Sequence, residues 1–407
     1  MKCRLCNCEE LKDFLSLNDQ PPANAFLKKE DFNNERIYPL ELTFCKKCLL
    51  VQLTDQSFVK RDNLFLNYAY ASSISGGLRN HFNEFAHKLK ESFPNANSVV
   101  DIGSNDGILL DPLLKLGFNA IGIEPASNLA SIANKNGLVT ICSYFEKETV
   151  EKIIDKIGNV DIITASNVFA HLDNYHDFIE NVKLLLKEDG IFIFEVQYFA
   201  DMLKELTFDN IYHEHVMYYT LHSIVNLFQV HKMNIIDVER IPTHGGSIRV
   251  YVSKNRDRTH NQDVLDLLQE EKSNQIDNFQ IMKEFSQKLD TNIQEIKSLV
   301  NKIRKEDKTI FGYGAPAKSS TIINSIGLNN KHIELIIEDS PLKQGLFTPG
   351  SHIPITSPDI LLERKPDYLM IFAWNYADEI IKKIEEKYSK INYIIPMPEL
   401  KIIKNKD

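Results

Sequence analysis

The chain has 407 residues, enough for two to three domains, and an apolar fraction of 43%, that of a globular protein. Its net charge of −9 gives no broad nucleic-acid footprint, and no run approaches the about 18 apolar residues of a membrane helix. Met1 leads directly into a cysteine motif, leaving no room for a signal peptide, and five of the six cysteines precede residue 49, so metal binding in a reducing, cytoplasmic setting is expected rather than a disulfide framework.

Cys3-Arg-Leu-Cys6 and Cys45-Lys-Lys-Cys48 are two Cys-x-x-Cys knuckles. Each is a short turn that points two thiolates at one ion. Together they complete a tetrahedral zinc site with no open position, hence a structural one. Cys8 is a competing ligand in the same stretch. Asn67 to Ser75 follow, with Tyr68 and Tyr70 beside small hydroxyl residues. This composition suits a lid over a ligand and equally a packing strand.

Ser98 to Pro125 organise the rest of the chain. They read as an apolar strand, a glycine loop, an amphipathic helix and a second strand ending in an acid. Gly103 and Gly107 let the loop turn and bring main-chain N–H groups near a ligand. Glu124 falls about 20 residues on, where a carboxylate accepts both ribose hydroxyls. Asp101 and Asp106 place negative charge in the loop, which disfavours a pyrophosphate and suits a cationic ligand. The loop resembles the S-adenosylmethionine loop of Rossmann-like methyltransferases; the plain alternative is an ordinary β–α turn. Asp101, Gly103, Ser104, Asn105, Gly107, Glu124 and Pro125 are the cofactor candidates, with Tyr70 from the lid stretch.

Alternation continues beyond Glu124, with helices expected near 128–136 and 177–186 and strands near 139–142, 161–166 and 191–196. Phe145 is either an adenine-stacking ring or core. Asn167 and His171 follow an apolar strand, at the carboxyl edge where open α/β sheets bind ligands. Strands alternating with helices predict a doubly wound parallel sheet.

Tyr212-His213-Glu214-His215 concentrates titratable groups. It is not the zinc-protease motif, which spaces its histidines four apart. On a strand, Tyr212 and Glu214 share one face and His213 and His215 the other; on a loop all could converge. His244, Ser247 and Arg249 surround a Gly-Gly turn, with Arg249 a candidate for an anionic substrate. From about 263 to 308, Met282, Phe285, Leu289, Ile293, Ile296, Val300 and Ile303 form one apolar stripe, read as a connecting helix. Gly312-Tyr-Gly314-Ala-Pro-Ala-Lys318 then opens a second strand–loop–helix unit. Its neutral-to-basic character favours phosphate near Lys318, or marks a simple turn.

Taken together, these motifs resemble the zinc-containing sugar C-methyltransferase family that makes branched deoxysugars. The shared pattern covers nearly the whole chain. The resemblance implies an α/β protein with a zinc-binding domain at 1–70, a Rossmann-like S-adenosylmethionine-binding domain at 71–245 and a second Rossmann-like domain at 246–407. It implies a nucleotide-linked keto-sugar substrate methylated on a carbon next to the keto group, with S-adenosylmethionine and one structural zinc. It places Tyr212, Glu214 and His215 at the reacting carbon, with His171 nearby. Tyr68, His244, Ser247, Arg249 and Lys318 are the substrate-side candidates. No nucleic-acid or membrane partner is expected, and the protein is expected as a monomer or small homo-oligomer. An O- or N-methyltransferase and a non-enzymatic zinc-ribbon protein are the competing classes; the intact glycine loop and Glu124 speak against the second.

Overall fold

Three sheets follow one another in the computed structural model, which describes residues 1–60, 73, 76–388 and 391–405. Strands β1 (Leu11–Gln20), β2 (Tyr38–Cys45) and β3 (Val51–Leu53) pair antiparallel around the N-terminal cysteines. Leu15, Leu17, Leu40, Leu42 and Phe44 are buried, the alternating face that a half-covered sheet requires.

Helix and strand then alternate. Helix α1 (Gly76–Ser92) leads to β4 (Ser98–Ile102), α2 (Leu110–Lys115), β5 (Asn119–Ile123), α3 (Ser127–Lys135) and β6 (Thr140–Ile141). Helix α4 (Lys147–Ile157), β7 (Val160–Ser166), α5 (Tyr175–Leu185) and β8 (Leu186–Gln197) follow. After α6 (Phe199–Glu205), β9 (Met217–Tyr218) and α7 (Leu221–Val230) come β10 (Asn234–Ile241) and β11 (Ser247–Ser253). The seven-stranded sheet has the order β10-β11-β8-β7-β4-β5-β6, with β4 to β8 parallel. Its direction of winding reverses between β4 and β7, which sets the ligand crevice at their carboxyl ends. Strand β11 pairs antiparallel with β8 from Ser247 opposite Gln197 to Ser253 opposite Ile191. The sheet therefore runs past residue 245, the expected end of the cofactor unit, because β8 needs a partner on its free edge.

The stretch expected as one connecting helix is two, α8 (Gln262–Ser273) and α9 (Phe279–Lys305). The break falls at 274–278, where Gln275 takes φ 53° and the Asn278 side chain caps α9 by accepting from Gln280 N. All seven stripe residues of α9 are buried. The C-terminal unit comprises β12 (Ile310–Tyr313), α10 (Ala317–Ile326), β13 (Ile336–Ile337), β14 (Ile355–Thr356), α11 (Ile360–Glu363), β15 (Tyr368–Ile371), α12 (Ala377–Lys387), β16 (Asn392–Ile395) and β17 (Lys401–Ile403). Its sheet order is β14-β13-β12-β15-β16-β17, parallel except for β17, a second Rossmann-like layer.

One segment ties the three units together. Strand β9 leaves the middle sheet and pairs with β3. Just before it, Val216 N donates to Ala170 O at 2.8 Å and Val216 O accepts from Leu53 N at 2.9 Å. From the other side, Thr321 Oγ1 on α10 donates to Ile211 O at 3.0 Å. The Tyr212–His215 stretch is thus held between the zinc unit, the end of β7 and the C-terminal unit. Among the described residues, no helix is long and apolar enough to cross a membrane.

Candidate active site

The four knuckle sulfurs of Cys3, Cys6, Cys45 and Cys48 lie within 4.8 Å of one another. A tetrahedral zinc with Zn–S bonds of about 2.3 Å needs sulfurs about 3.8 Å apart, so the donor set fits that ion and fills its coordination. Cys8 Sγ approaches Cys45 Sγ at 3.3 Å but stands outside this set of four.

The glycine loop follows β4 at the crevice. Gly103 takes φ 68° and Gly107 φ 88°, and a Cβ there would sit 2.4 Å from Val168 Cγ2 and 2.3 Å from Leu138 Cδ1 respectively. Both positions therefore require glycine for conformation and for space. Glu124 accepts the loop amide of Asn105 at 2.9 Å and the amide of Ala126 at 2.8 Å, one on each oxygen. Each oxygen keeps a second lone pair, so a diol remains within its capacity. Burial raises its pKa. Asp101, beneath the loop, accepts Thr164 Oγ1–H at 2.7 Å, and burial pushes its carboxyl up to about 7. Asp106 Oδ2 accepts from Ser73 N at 3.2 Å, whereas its Oδ1 is buried without a partner among the described residues, the condition that a cationic amino group relieves. Asn167 takes φ 58° at the end of β7, and its N–H donates to Glu195 O at 2.9 Å. Tyr68 and Tyr70 lie outside the described residues. Phe145 is core: its ring packs 5.0 Å from Phe178 in the main apolar cluster, because α5 closes over it.

Across the crevice, residues 211–216 form a turn rather than a strand, so the strand alternation does not apply. Tyr212 O–H donates to His215 Nε2 at 2.8 Å, and His215 Nδ1–H donates to Asn210 O at 2.8 Å. The main chain thereby fixes the tautomer that leaves Nε2 basic. His171 Nδ1–H donates to Glu214 O at 2.7 Å, and its ring meets His215 edge-on at 4.8 Å. Burial lowers His171 to about 4; burial first, and then the repulsion two charged rings would meet, holds His215 well below its ordinary value. Both rings are neutral at neutral pH. Glu214 and His213 do not join them. The Glu214 carboxylate accepts Asn24 Nδ2–H at 2.8 Å, and burial raises it to about 7. His213 donates to Pro39 O at 3.0 Å in the zinc unit.

Matches to known families cover these parts in order. A zinc binding domain matches residues 3–65, a methyltransferase domain residues 62–236, and a C-methyltransferase C-terminal domain residues 242–398. The C-methyltransferase NovU of Streptomyces niveus is 34% identical over 407 residues, spanning 99% of this chain and 96% of that protein. The chain belongs to the zinc-containing, S-adenosylmethionine-dependent C-methyltransferase family. A ubiquinone biosynthesis O-methyltransferase of Glaesserella parasuis serovar 5 matches at 34% over 101 residues only, 23% of this chain and 42% of that protein. The solved plantazolicin methyltransferase BpumL superposes at TM-score 0.37 with 15% identity, over 45% of this chain and 86% of that one. S-adenosylmethionine and one structural zinc are the cofactors of this C-methyltransferase.

Its substrate side differs from the sequence expectation in two places. Arg249 is buried, bound to Glu195 at 2.7 Å and 3.6 Å from Glu239, and its guanidinium lies 3.9 Å over Phe85. Two carboxylates already neutralise it, so it is not poised for an anionic ligand. Ser247 is fully buried and closes the Gly-Gly turn by donating to Thr243 O at 2.9 Å. Lys318 Nζ donates to His244 O at 2.9 Å, which uses one of its three donors. His244 itself takes φ 56° and burial lowers it to about 3. Sequence reasoning also missed two contributors. Glu195, at the tip of β8, is bound by His81 Nε2 at 2.9 Å as well as by Arg249, and the carboxyl-edge rule could have flagged it. Asn24 sits in a Pro-Pro-Ala-Asn loop with no local signal at all; only the fold brings it to Glu214.

Proposed function

We propose that this C-methyltransferase methylates a carbon next to the keto group of a nucleotide-linked 4-keto deoxysugar, with His215 as the base. The observation that carries the reading is the pinned tautomer of His215, whose Nε2 is held by a displaceable phenol. A neutral imidazole with one committed N–H and one basic nitrogen is what abstraction of an α-proton needs. In this reading His215 Nε2 takes the carbon-bound proton and the electron pair moves into the enolate. Tyr212 O–H, released from His215, then donates to the enolate oxygen, with His171 the neighbouring donor. Bound S-adenosylmethionine supplies the electrophilic methyl to the enolate carbon. Glu214 supports from behind, holding the main chain to which His171 is bonded. Glu124 and the Asp101–Gly107 loop, with Pro125 and Asn167, are the proposed cofactor contacts, and His244 and Lys318 face the sugar.

The test uses a panel of nucleotide-linked 4-keto sugars, with NMR of the product to distinguish carbon–methyl from oxygen–methyl. His215→Asn is expected to abolish both methylation and α-proton exchange with deuterated water while the cofactor still binds. His171→Asn is expected to slow both by about 10²–10³, the usual effect of losing one oxyanion donor. Near-normal turnover in His215→Asn with loss in His171→Asn reverses the two roles.

A further inference from the structure

A buried carboxylate oxygen without a donor is costly unless something else supplies one. Asp209, on the short turn Phe208–Asn210, is fully buried. Its Oδ2 accepts Trp374 Nε1–H at 2.6 Å, but its Oδ1 has no partner among the described residues. Asn210, 1% exposed, repeats the pattern: its Oδ1 is also partnerless, while its Nδ2 reaches His244 O at 3.5 Å. That same carbonyl accepts Lys318 Nζ at 2.9 Å, and Lys318 lies 5.5 Å from the Trp374 ring centroid. An ammonium carries three donors, of which this bond uses one. The main-chain oxygen of Asn210 is the acceptor that pins His215. Two orphaned acceptors thus flank the main-chain oxygen that holds the proposed base, and a lysine donor shares the His244 carbonyl with the Asn210 side chain.

We propose that Asp209, Asn210 and Lys318 form a hydroxyl-recognising subsite that sets which sugar is accepted and which ring carbon faces His215. Asp209 Oδ1 and Asn210 Oδ1 accept from ring hydroxyls, and Lys318 donates to a ring oxygen substituent. The inference rests on His215 lying at the reacting carbon. A sugar lacking the matching hydroxyl leaves a buried acceptor unpaired, so discrimination comes from the penalty on the wrong substrate.

Calorimetric titration of the zinc-loaded, full-length protein with S-adenosylhomocysteine present measures this without turnover. The probes are a thymidine-diphosphate 4-keto-6-deoxyhexose and its 2-deoxy counterpart. The wild type is expected to bind the hydroxylated probe roughly 10- to 100-fold tighter, the range of a hydrogen bond to a charged group. Asp209→Asn keeps an acceptor for Trp374 and the side-chain shape, and should lose most of that preference by weakening only the hydroxylated probe. Lys318→Met should reduce it in the same direction. A wild type that does not discriminate, or an Asp209→Asn protein that weakens equally on both probes or keeps the full preference, overturns the subsite. Intact discrimination without any carbon-methylated product on turnover instead overturns the proposed reaction and leaves the subsite standing.

Discussion

The two Rossmann-like halves solve the same local problem with the same device and then diverge. In the first, Glu124 at the tip of β5 accepts the loop amide of Asn105 and the amide two residues after itself, Ala126. In the second, Glu338 beyond β13 accepts the loop amide of Ala315 at 2.7 Å and the amide two residues after itself, Ser340, at 2.9 Å. Each acid thus ties its glycine loop to the neighbouring strand. What differs is the space above. In the first loop, Asp106 Oδ1 has no partner among the described residues. Over the second, the buried Lys343 donates to Ala315 O at 2.7 Å and lies 4.9 Å over the Phe26 ring, while Pro316 removes an amide from the loop. Lys343 thus takes up a main-chain acceptor of the second loop from within the protein. The same architecture therefore carries different side chains above its loop in the two halves, and on the proposed function only the first takes the cofactor.

The largest expected effect comes from removing the two acids in parallel. Glu124→Ala should weaken S-adenosylmethionine binding by about 1.5–3 kcal/mol, measured by calorimetry. Glu338→Ala should leave that affinity unchanged and instead lower the melting temperature. Equal losses of cofactor affinity in both would erase the distinction between the halves. A smaller effect is expected from Lys343→Met. Cofactor affinity should again be unchanged, but Glu214 loses the cation that favours its charged form. Its carboxyl should then titrate above the wild-type value of about 7, read from the pH dependence of the melting temperature.

The smallest effect concerns Glu214 itself. Its folded pKa of about 7 lies above its ordinary value of 4.5, because burial disfavours the charge. The folded protein therefore holds this proton more tightly than the unfolded chain. Stability from this group is fully present below about 4.5 and is lost as pH rises through about 7. Glu214→Gln removes that slope, so its melting temperature relative to wild type should rise between pH 5 and pH 8. The lowered histidines, His171, His215 and His244, act in the opposite sense at acid pH, and they are common to both proteins. A constant difference across the range would mean that Glu214 is ionised throughout.

By itself the sequence determined whatever depends on neighbours along the chain. The two knuckles carry their own turn geometry, so four sulfurs converge as their spacing predicts. The glycine loop and Glu124 lie within one β–α–β unit, whose closure needs only local hydrogen bonds. The seven-residue stripe of α9 follows from helical period alone. Tertiary structure decided everything whose partner is far away. Arg249 looks available until β8 brings Glu195 beside it across 54 residues, and Phe145 looks like a stacking ring until α5 covers it. Asn24 and Glu214 lie 190 residues apart, and Asp209 and Trp374 lie 165 apart. The physical reason is that a charge or an aromatic ring has no intrinsic role. Its pKa, its free lone pairs and its access to a ligand are set by the groups that fold against it, and in this protein those groups come from all three units of the chain.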